Sequence, residues 1–360
     1  MNNKIVFVLG LTPQGLSVIR TLARAGHRVL AFGTSKRQVG YHSRYGEKYI
    51  FHSVEELKQM INMHLETLFE KPLCYITSGE ILALVLEDYP ELYDICEVIS
   101  APYHVVRRLA HKDQMYQIAE QKGFVVAPYS TLDKLQSLEN LKYPVFLKRN
   151  YEIPLFFKAE RIESAAMLIS YMQRIPKEDY KHILVQDYIS IDKKDLLEIS
   201  AQGFYSCGIQ KGILVGHQKR KLKVGLTSYL VELHDAVLVD NITRLCKSFM
   251  RDLGYTGFAE FEFMYDRKDA VLYFVEVNTR TCGSHSALTY KYPDIIQAIL
   301  SPYDCADLIT RNRRVIWISL LRDIRVRLEQ KKFSGLLDVF KGSYDIFSCD
   351  DPMPFFRQII

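Results

Sequence analysis

Glu276, Asn278 and Arg280 occupy every second position of the stretch YFVEVNTR, between apolar neighbours. A strand turns alternate side chains to one face, so an acid, a carboxamide and a guanidinium point the same way. Upstream, GFAEFEF carries Glu260 and Glu262, also two apart. With a turn centred on Asp269 in DRKD, Glu262 faces Glu276 and Glu260 faces Asn278. Cross-strand Cβ atoms lie about 5 Å apart, and like charges so placed repel. A cation between them removes the conflict. Two carboxylates and an amide form an all-oxygen donor set, which suits Mg2+ or Mn2+ rather than zinc. Magnesium usually completes its octahedron with phosphate oxygens and water. Arg280 is then placed to hold a phosphate or a developing oxyanion. The plainer reading of either stretch alone is a solvated polar face on an edge hairpin. The pairing of the two favours the metal.

A nucleotide needs cations against its phosphates. Lys112, in RLAHKDQMYQIAEQKGF, opens a helix, and Lys148, in YPVFLKRN, ends a strand. LVQDYI, from Leu184, is an apolar strand with a polar pair, a suitable wall for a purine. No GxSxG nucleophile elbow is present, and Cys282 reads as a small buried thiol rather than a nucleophile. GLTPQG, after the first strand, lacks the middle glycine of GxGxxG, and the second strand ends LAFGTSKR with no acid for a ribose hydroxyl. Both features argue against an NAD enzyme.

These residues need elements to hold them. KIVFVLG, PQGLSVIRTLARAG and HRVLAFG read as strand, helix and strand, a βαβ unit that implies a parallel sheet. Strand KYIFH, a helix over Val54–Phe69, strand LCYITSG, a helix around Ile81–Leu86 and strand EVISAP complete a first domain near residue 102. EISAQGFYSCGIQKGILVGHQKRK reads as antiparallel strands with glycine turns. A helix from about Asp235 to Leu253 precedes the acidic hairpin. LITRNRRVIWISLLRDIRVRLEQKKF reads as a basic amphipathic helical tail. Such a helix can lie on an anionic membrane. Packing on its own domain is the commoner use and is the expectation.

The order of these segments resembles the ATP-grasp superfamily, in particular its predicted carboxylate–amine ligases, over essentially residues 1–300. YPVFLK resembles the family's strand ending in a phosphate-binding lysine, VQDYI its hinge strand against adenine, and GFAEFEF…FVEVNTR its metal hairpin. The resemblance implies an α/β chain, α+β in the ATP-grasp part. Its domains would be a Rossmann-like domain over 1–105, a small lobe over 106–190, a large lobe with the hairpin over 191–305 and a helical tail over 306–360. It implies an enzyme that uses ATP and Mg2+ (or Mn2+) to activate a small carboxylate as an acyl-phosphate and join it to an amine. Lys112 and Lys148 would contact phosphates. Gln186, Asp187, Tyr188 and Ile189 would line the adenine, Tyr188 mainly through backbone. Glu198 would meet a ribose or a lysine. Glu262, Glu276 and Asn278 would hold magnesium, and Arg280 would stabilise the acyl-phosphate and the tetrahedral species after it.

The sequence also departs from the family. The interval RNYEIPLFFKAERIES contains no glycine, whereas backbone cradling of phosphate favours glycine. Lys158 is the candidate charge there. HQKRKLKVGLTSYLVE resembles a basic segment that faces the active site in these ligases, which makes Lys219 and Arg220 candidates. The glycine-free lid also leaves room for a non-catalytic, regulatory ATP-binding module. In the family the first domain often contacts substrate. Gly10 and Gly15 would then serve tight turns or substrate contact, and TSGE at 77–80 is a second contact candidate.

The composition, 48% apolar and 25% charged, is ordinary for a soluble protein. A chain of 360 residues suggests two or three domains with sizeable cores. The formal charge of +5 suits an anionic small ligand and is too diffuse for nucleic acid. The 7 cysteines are odd in number and form no CxxC pair, so neither a zinc site nor a disulfide framework is expected, and a reducing cytoplasm fits. MNNKIVFVLGL is expected to be a buried strand rather than a signal peptide. No stretch approaches the roughly 18 apolar residues that span a bilayer. No feature points to an oligomeric state.

Overall fold

The computed structural model describes residues 4–151, 156–157, 159–222, 225–331 and 342–359. The chain divides into two compact units. One comprises Met1–Tyr103, Glu198–Phe261 and Asn278–Ile360, the other His104–Leu197 and Glu262–Val277.

The first unit begins with β1 (Ile5–Leu9), α1 (Pro13–Arg24), β2 (Arg28–Gly33), β3 (Glu47–Ile50), α2 (Val54–Leu65), β4 (Leu73–Ile76), α3 (Gly79–Asp88), α4 (Leu92–Ile95) and β5 (Glu97–Val98). The strands form a parallel sheet in the order β3-β2-β1-β4-β5. Its central strands are buried on both faces, which is why they read as unbroken apolar runs. The order reverses between β1 and β4, and both strands end there in short glycine-containing turns. A Cβ on Gly15 would come within 1.8 Å of the Gly10 carbonyl oxygen, and Gly10 has φ +130°. Close packing therefore accounts for both glycines. The helix expected through Phe69 ends at Leu65, because the Thr67 hydroxyl and amide donate to the His64 carbonyl and turn the chain away.

The second unit contains α5 (Tyr103–Ala110), α6 (Lys112–Gln121), β6 (Tyr129–Thr131), β7 (Val145–Arg149), β8 (Ala159–Ile162), α7 (Ala165–Met172) and β9 (Ile183–Asp187). Its antiparallel sheet runs β6-β9-β7-β8. Leu132, Val145, Leu147, Ile162, Leu168, Ile183 and Val185 form its core.

The remaining elements are β10 (Leu196–Ser206), β11 (Ile209–Lys221), β12 (Thr227–Glu232), α8 (Ala236–Asp252), β13 (Gly257–Asp266), β14 (Val271–Asn278), α9 (His285–Lys291), α10 (Ile295–Leu300), β15 (Ile316–Ile318), α11 (Leu320–Gln330), β16 (Ser343–Tyr344) and α12 (Met353–Phe356). The strands follow the order β14-β13-β10-β11-β12-β15-β16. Asp235 caps α8 by accepting from the Leu238 amide at 3.0 Å.

The tail differs from the expected continuous amphipathic helix. RRVIWISLL contributes β15, with Trp317 and Ile318 at 1% and 0% exposure, and only Leu320–Gln330 is helical. That helix turns charge inward. Asp323, 1% exposed, accepts from Arg220 Nε at 2.6 Å, Arg327 Nε at 2.7 Å and Ser228 Oγ at 3.0 Å. Its Ile324 and Leu328 are exposed while Val326 is buried beside Asp323 and Arg327, so the buried face mixes charged and apolar side chains. Among the described residues no helix is long and apolar enough to cross a membrane. Farther along, Asp351 receives Arg20 Nε of α1 at 2.8 Å, Ser43 Oγ at 2.6 Å and the Arg44 amide at 2.9 Å.

Candidate active site

In the second unit, Lys112 stands at the first position of α6 and Lys148 near the end of β7. The Asn150 side chain joins these two ends. The Lys112 amide donates to the Asn150 carbonyl, the Asp113 amide to Asn150 Oδ1, and Asn150 Nδ2 to Asp113 Oδ1, each at 2.9 Å. Lys112 Nζ donates to Glu276 Oε2 of β14 at 2.8 Å, both side chains being about a quarter exposed.

Lys148 is 8% exposed. Its ammonium donates to Tyr116 Oη at 2.6 Å and Gln186 Oε1 at 2.7 Å. Tyr116 Oη donates to the Val275 carbonyl at 2.8 Å, and Gln186 Nε2 donates to the Ala127 carbonyl at 2.9 Å. Both acceptors are thus fixed toward the lysine. Burial first, and the Lys112 charge second, lower the Lys148 pKa to about 7 against the opposing effect of Glu276. Glu262 is half-buried on β13.

In the first unit, Glu260 is buried at 7% exposure, accepts from Ser200 Oγ at 2.6 Å and meets Asn278 Nδ2 at 3.4 Å. The Asn278 oxygen accepts from Arg280 Nη2 at 3.1 Å. Arg280 Nη1 donates to the Thr281 carbonyl at 3.0 Å. A Cβ on Gly79 would lie 3.3 Å from Arg280 Nε, so the guanidinium sits at the first residue of α3, within TSGE. Gln202 Nε2 donates to Ser284 Oγ at 2.5 Å. Burial holds the Cys282 thiol well above its ordinary pKa, so it is no thiolate nucleophile.

The other candidates fall as follows. Asp187 closes β9, its amide donating to the Pro128 carbonyl at 2.8 Å. Tyr188 and Ile189 follow it half-buried, the Tyr188 ring under the Arg161 guanidinium at 4.4 Å. Glu198 is paired with Lys221 at 2.8 Å. Lys219 is exposed. Arg220 pairs with the buried Asp323 at 2.6 Å. Lys158 lies outside the described residues.

Sequence reasoning missed Tyr116, Asn150 and the Glu260–Ser200 contact. Tyr116 follows Lys112 by one helical turn and shares its face, so its signal was present. The other two depend on long-range packing.

Among the described residues no three His, Cys, Asp or Glu side chains gather as a metal site. The expected set of Glu262, Glu276 and Asn278 contains two carboxylates and one carboxamide. The Asn278 nitrogen is turned to Glu260 and its oxygen to Arg280, and two carboxylates with one carboxamide have the oxygen chemistry that magnesium requires.

A model of the carbamoyl-phosphate synthase L chain ATP-binding domain matches residues 232–295. A D-aspartate ligase from Enterococcus faecium is 24% identical over 206 residues, covering 52% of this chain and 48% of that protein. The chain therefore spans about half the length of this curated relative. An ADP complex of N5-carboxyaminoimidazole ribonucleotide synthetase superposes with a TM-score of 0.71 at 14% identity, covering 91% of this chain and 85% of that one. The biotin carboxylase domain of 2-oxoglutarate carboxylase from Hydrogenobacter thermophilus, complexed with MgADP, ADP and bicarbonate, gives a TM-score of 0.66 at 17% identity, covering 87% and 73%.

Proposed function

From a chain that carries the ATP-grasp fold, we propose an ATP-dependent ligase that joins a small carboxylate to an amine. The observation that carries this reading is the gathering of Lys112, Lys148 and Glu276 in one cluster, with Glu276 on the same hairpin as Glu262 and Asn278. The likeness to a D-aspartate ligase supports it.

A carboxylate is a poor electrophile. Its oxygen takes the γ-phosphoryl group of ATP, ADP departs, and the resulting acyl-phosphate is attacked by the amine. A C–N bond forms, phosphate leaves and the amine loses a proton. No side-chain nucleophile is required. Glu262, Glu276 and Asn278 would hold magnesium, which when bound neutralises the transferring phosphoryl group. Lys112 and Lys148 hold phosphate oxygens, and Lys112 exchanges Glu276 for phosphate when nucleotide enters. Gln186, Asp187, Tyr188 and Ile189 form the adenine wall, and Glu198 with Lys221 borders the ribose. Arg280, fixed by Asn278 and the Thr281 carbonyl, stabilises charge on the carbonyl oxygen. In this reading residues 1–105 contribute substrate contacts, and 106–190 and 191–305 are the nucleotide lobes. Seven free thiols fit a cytoplasmic enzyme.

The test has two steps. MgATP should raise the thermal midpoint, and phosphate should be released in the presence of pooled carboxylates and amines. Glu276→Gln should abolish that release while the unliganded protein keeps its fold. Full activity in this variant would remove the metal assignment. The glycine-free stretch after Lys148 favours one alternative, a regulatory nucleotide-binding module. That reading predicts MgATP binding without phosphate release from any substrate pool.

A further inference from the structure

We infer that Glu260, which is outside the set expected to touch metal or nucleotide, is the positioning residue that makes Asn278 present its oxygen. The inference rests on the metal reading of the hairpin. A carboxamide has two chemically opposite ends of nearly the same shape, and only a neighbour of one-sided hydrogen-bonding character decides which faces where. An ionised carboxylate accepts and does not donate. Glu260 Oε2 lies 3.4 Å from Asn278 Nδ2, so the nitrogen turns toward Glu260 and the oxygen away from it. That oxygen accepts from Arg280 Nη2 at 3.1 Å. A flipped Asn278 would set its NH2 group against a guanidinium, which has only donors.

Glu260 is itself held in place. Ser200, 0% exposed on β10, donates to Oε1 at 2.6 Å. Gln202 Nε2 lies 3.4 Å from the same serine oxygen and donates to Ser284 Oγ at 2.5 Å. The chain Ser200, Glu260, Asn278, Arg280 thus runs from the buried sheet to the guanidinium, each link orienting the next. Partners that orient metal ligands in this way typically influence affinity or activity by about 10–100-fold.

The test measures Mn2+ binding in the presence of ATP by electron paramagnetic resonance, with no substrate and no turnover. Glu260→Gln replaces the accept-only group by one that can donate, so of the two neighbours that orient Asn278 only Arg280 remains. Mn2+ affinity should fall about tenfold or more, with the unliganded thermal midpoint within a few degrees of wild type. The double variant Glu260→Gln with Asn278→Asp should recover most of the loss, because a carboxylate at 278 offers oxygen from either end and the glutamine can donate to it. Ser200→Ala should weaken Mn2+ binding in the same direction by less. Unchanged Mn2+ affinity in E260Q, or a double variant no better than E260Q, would overturn the inference. If wild-type protein binds no Mn2+ with ATP, the metal reading itself fails, and that result is separable from the others.

Discussion

Lys148, proposed to hold phosphate, is a buried lysine whose charge the fold opposes. Its ordinary pKa of 10.5 is lowered to about 7, so near neutral pH part of the population is uncharged until phosphate arrives. The native state binds fewer protons than the unfolded chain between those two values, so stability rises with pH from about 7 toward 10.5. Below pH 7 the full cost of the buried ammonium is present. Lys148→Met should therefore raise the thermal midpoint by about 2–5 °C at pH 6, and the gain should vanish near pH 10. The same variant should lose most of its ATP affinity. Wild-type nucleotide binding should take up a fraction of a proton at pH 7.5, detectable by calorimetry in buffers of different ionisation enthalpy. The placement of the two lysines, at the start of α6 and near the end of β7, was legible because each sits at the end of an element. Tyr116, Gln186 as lysine acceptor, and Glu260 were less so. Spacing tells which face a polar residue occupies; it does not tell which neighbour turns its donor or acceptor toward it.

At the scale of elements, the interlock between α6 and β7 depends on Asn150. Asn150→Ala removes the side-chain bonds to Asp113, and should lower stability by about 1–3 kcal/mol. On the proposed function it should raise KM for ATP more than it lowers kcat, since Lys112 and Lys148 lose their mutual registration; equal effects on the two would argue against that. The parallel sheet was readable because strands buried on both faces are unbroken apolar runs, as in β1 and β2. The same property misled at the tail. RRVIWISLL is apolar on both faces because β15 lies between β12 and β16, and a short doubly buried strand continues without a break into the helical periodicity of α11. The charges then appeared to be a solvated face, whereas Asp323 and Arg327 point inward. Asp323→Ala leaves two arginines without their acceptor, and should destabilise by about 3–5 kcal/mol in thermal or urea unfolding. Arg220→Met, which retains apolar packing and leaves Arg327 on Asp323, should cost less.

At the scale of the molecule, the first unit is assembled from three separated stretches of sequence. Contacts between remote segments make folding slow relative to a chain of local contacts. The ion pair of Arg20 with Asp351 spans 331 positions, and both side chains are almost fully buried. Deleting residues 345–360 should expose α1 to limited proteolysis and to faster amide exchange, while β6–β9 of the second unit keep their protection. Uniform loss of protection would show that the two units unfold together.

That distant pairing has a consequence during synthesis. A ribosome that has made α1 has produced a helix with an arginine destined for the interior and no counterion, and the deficit persists until residue 351 has cleared the exit tunnel. Until then Arg20 keeps its hydration, and the face of α1 that carries it completes its packing only after Asp351 has emerged.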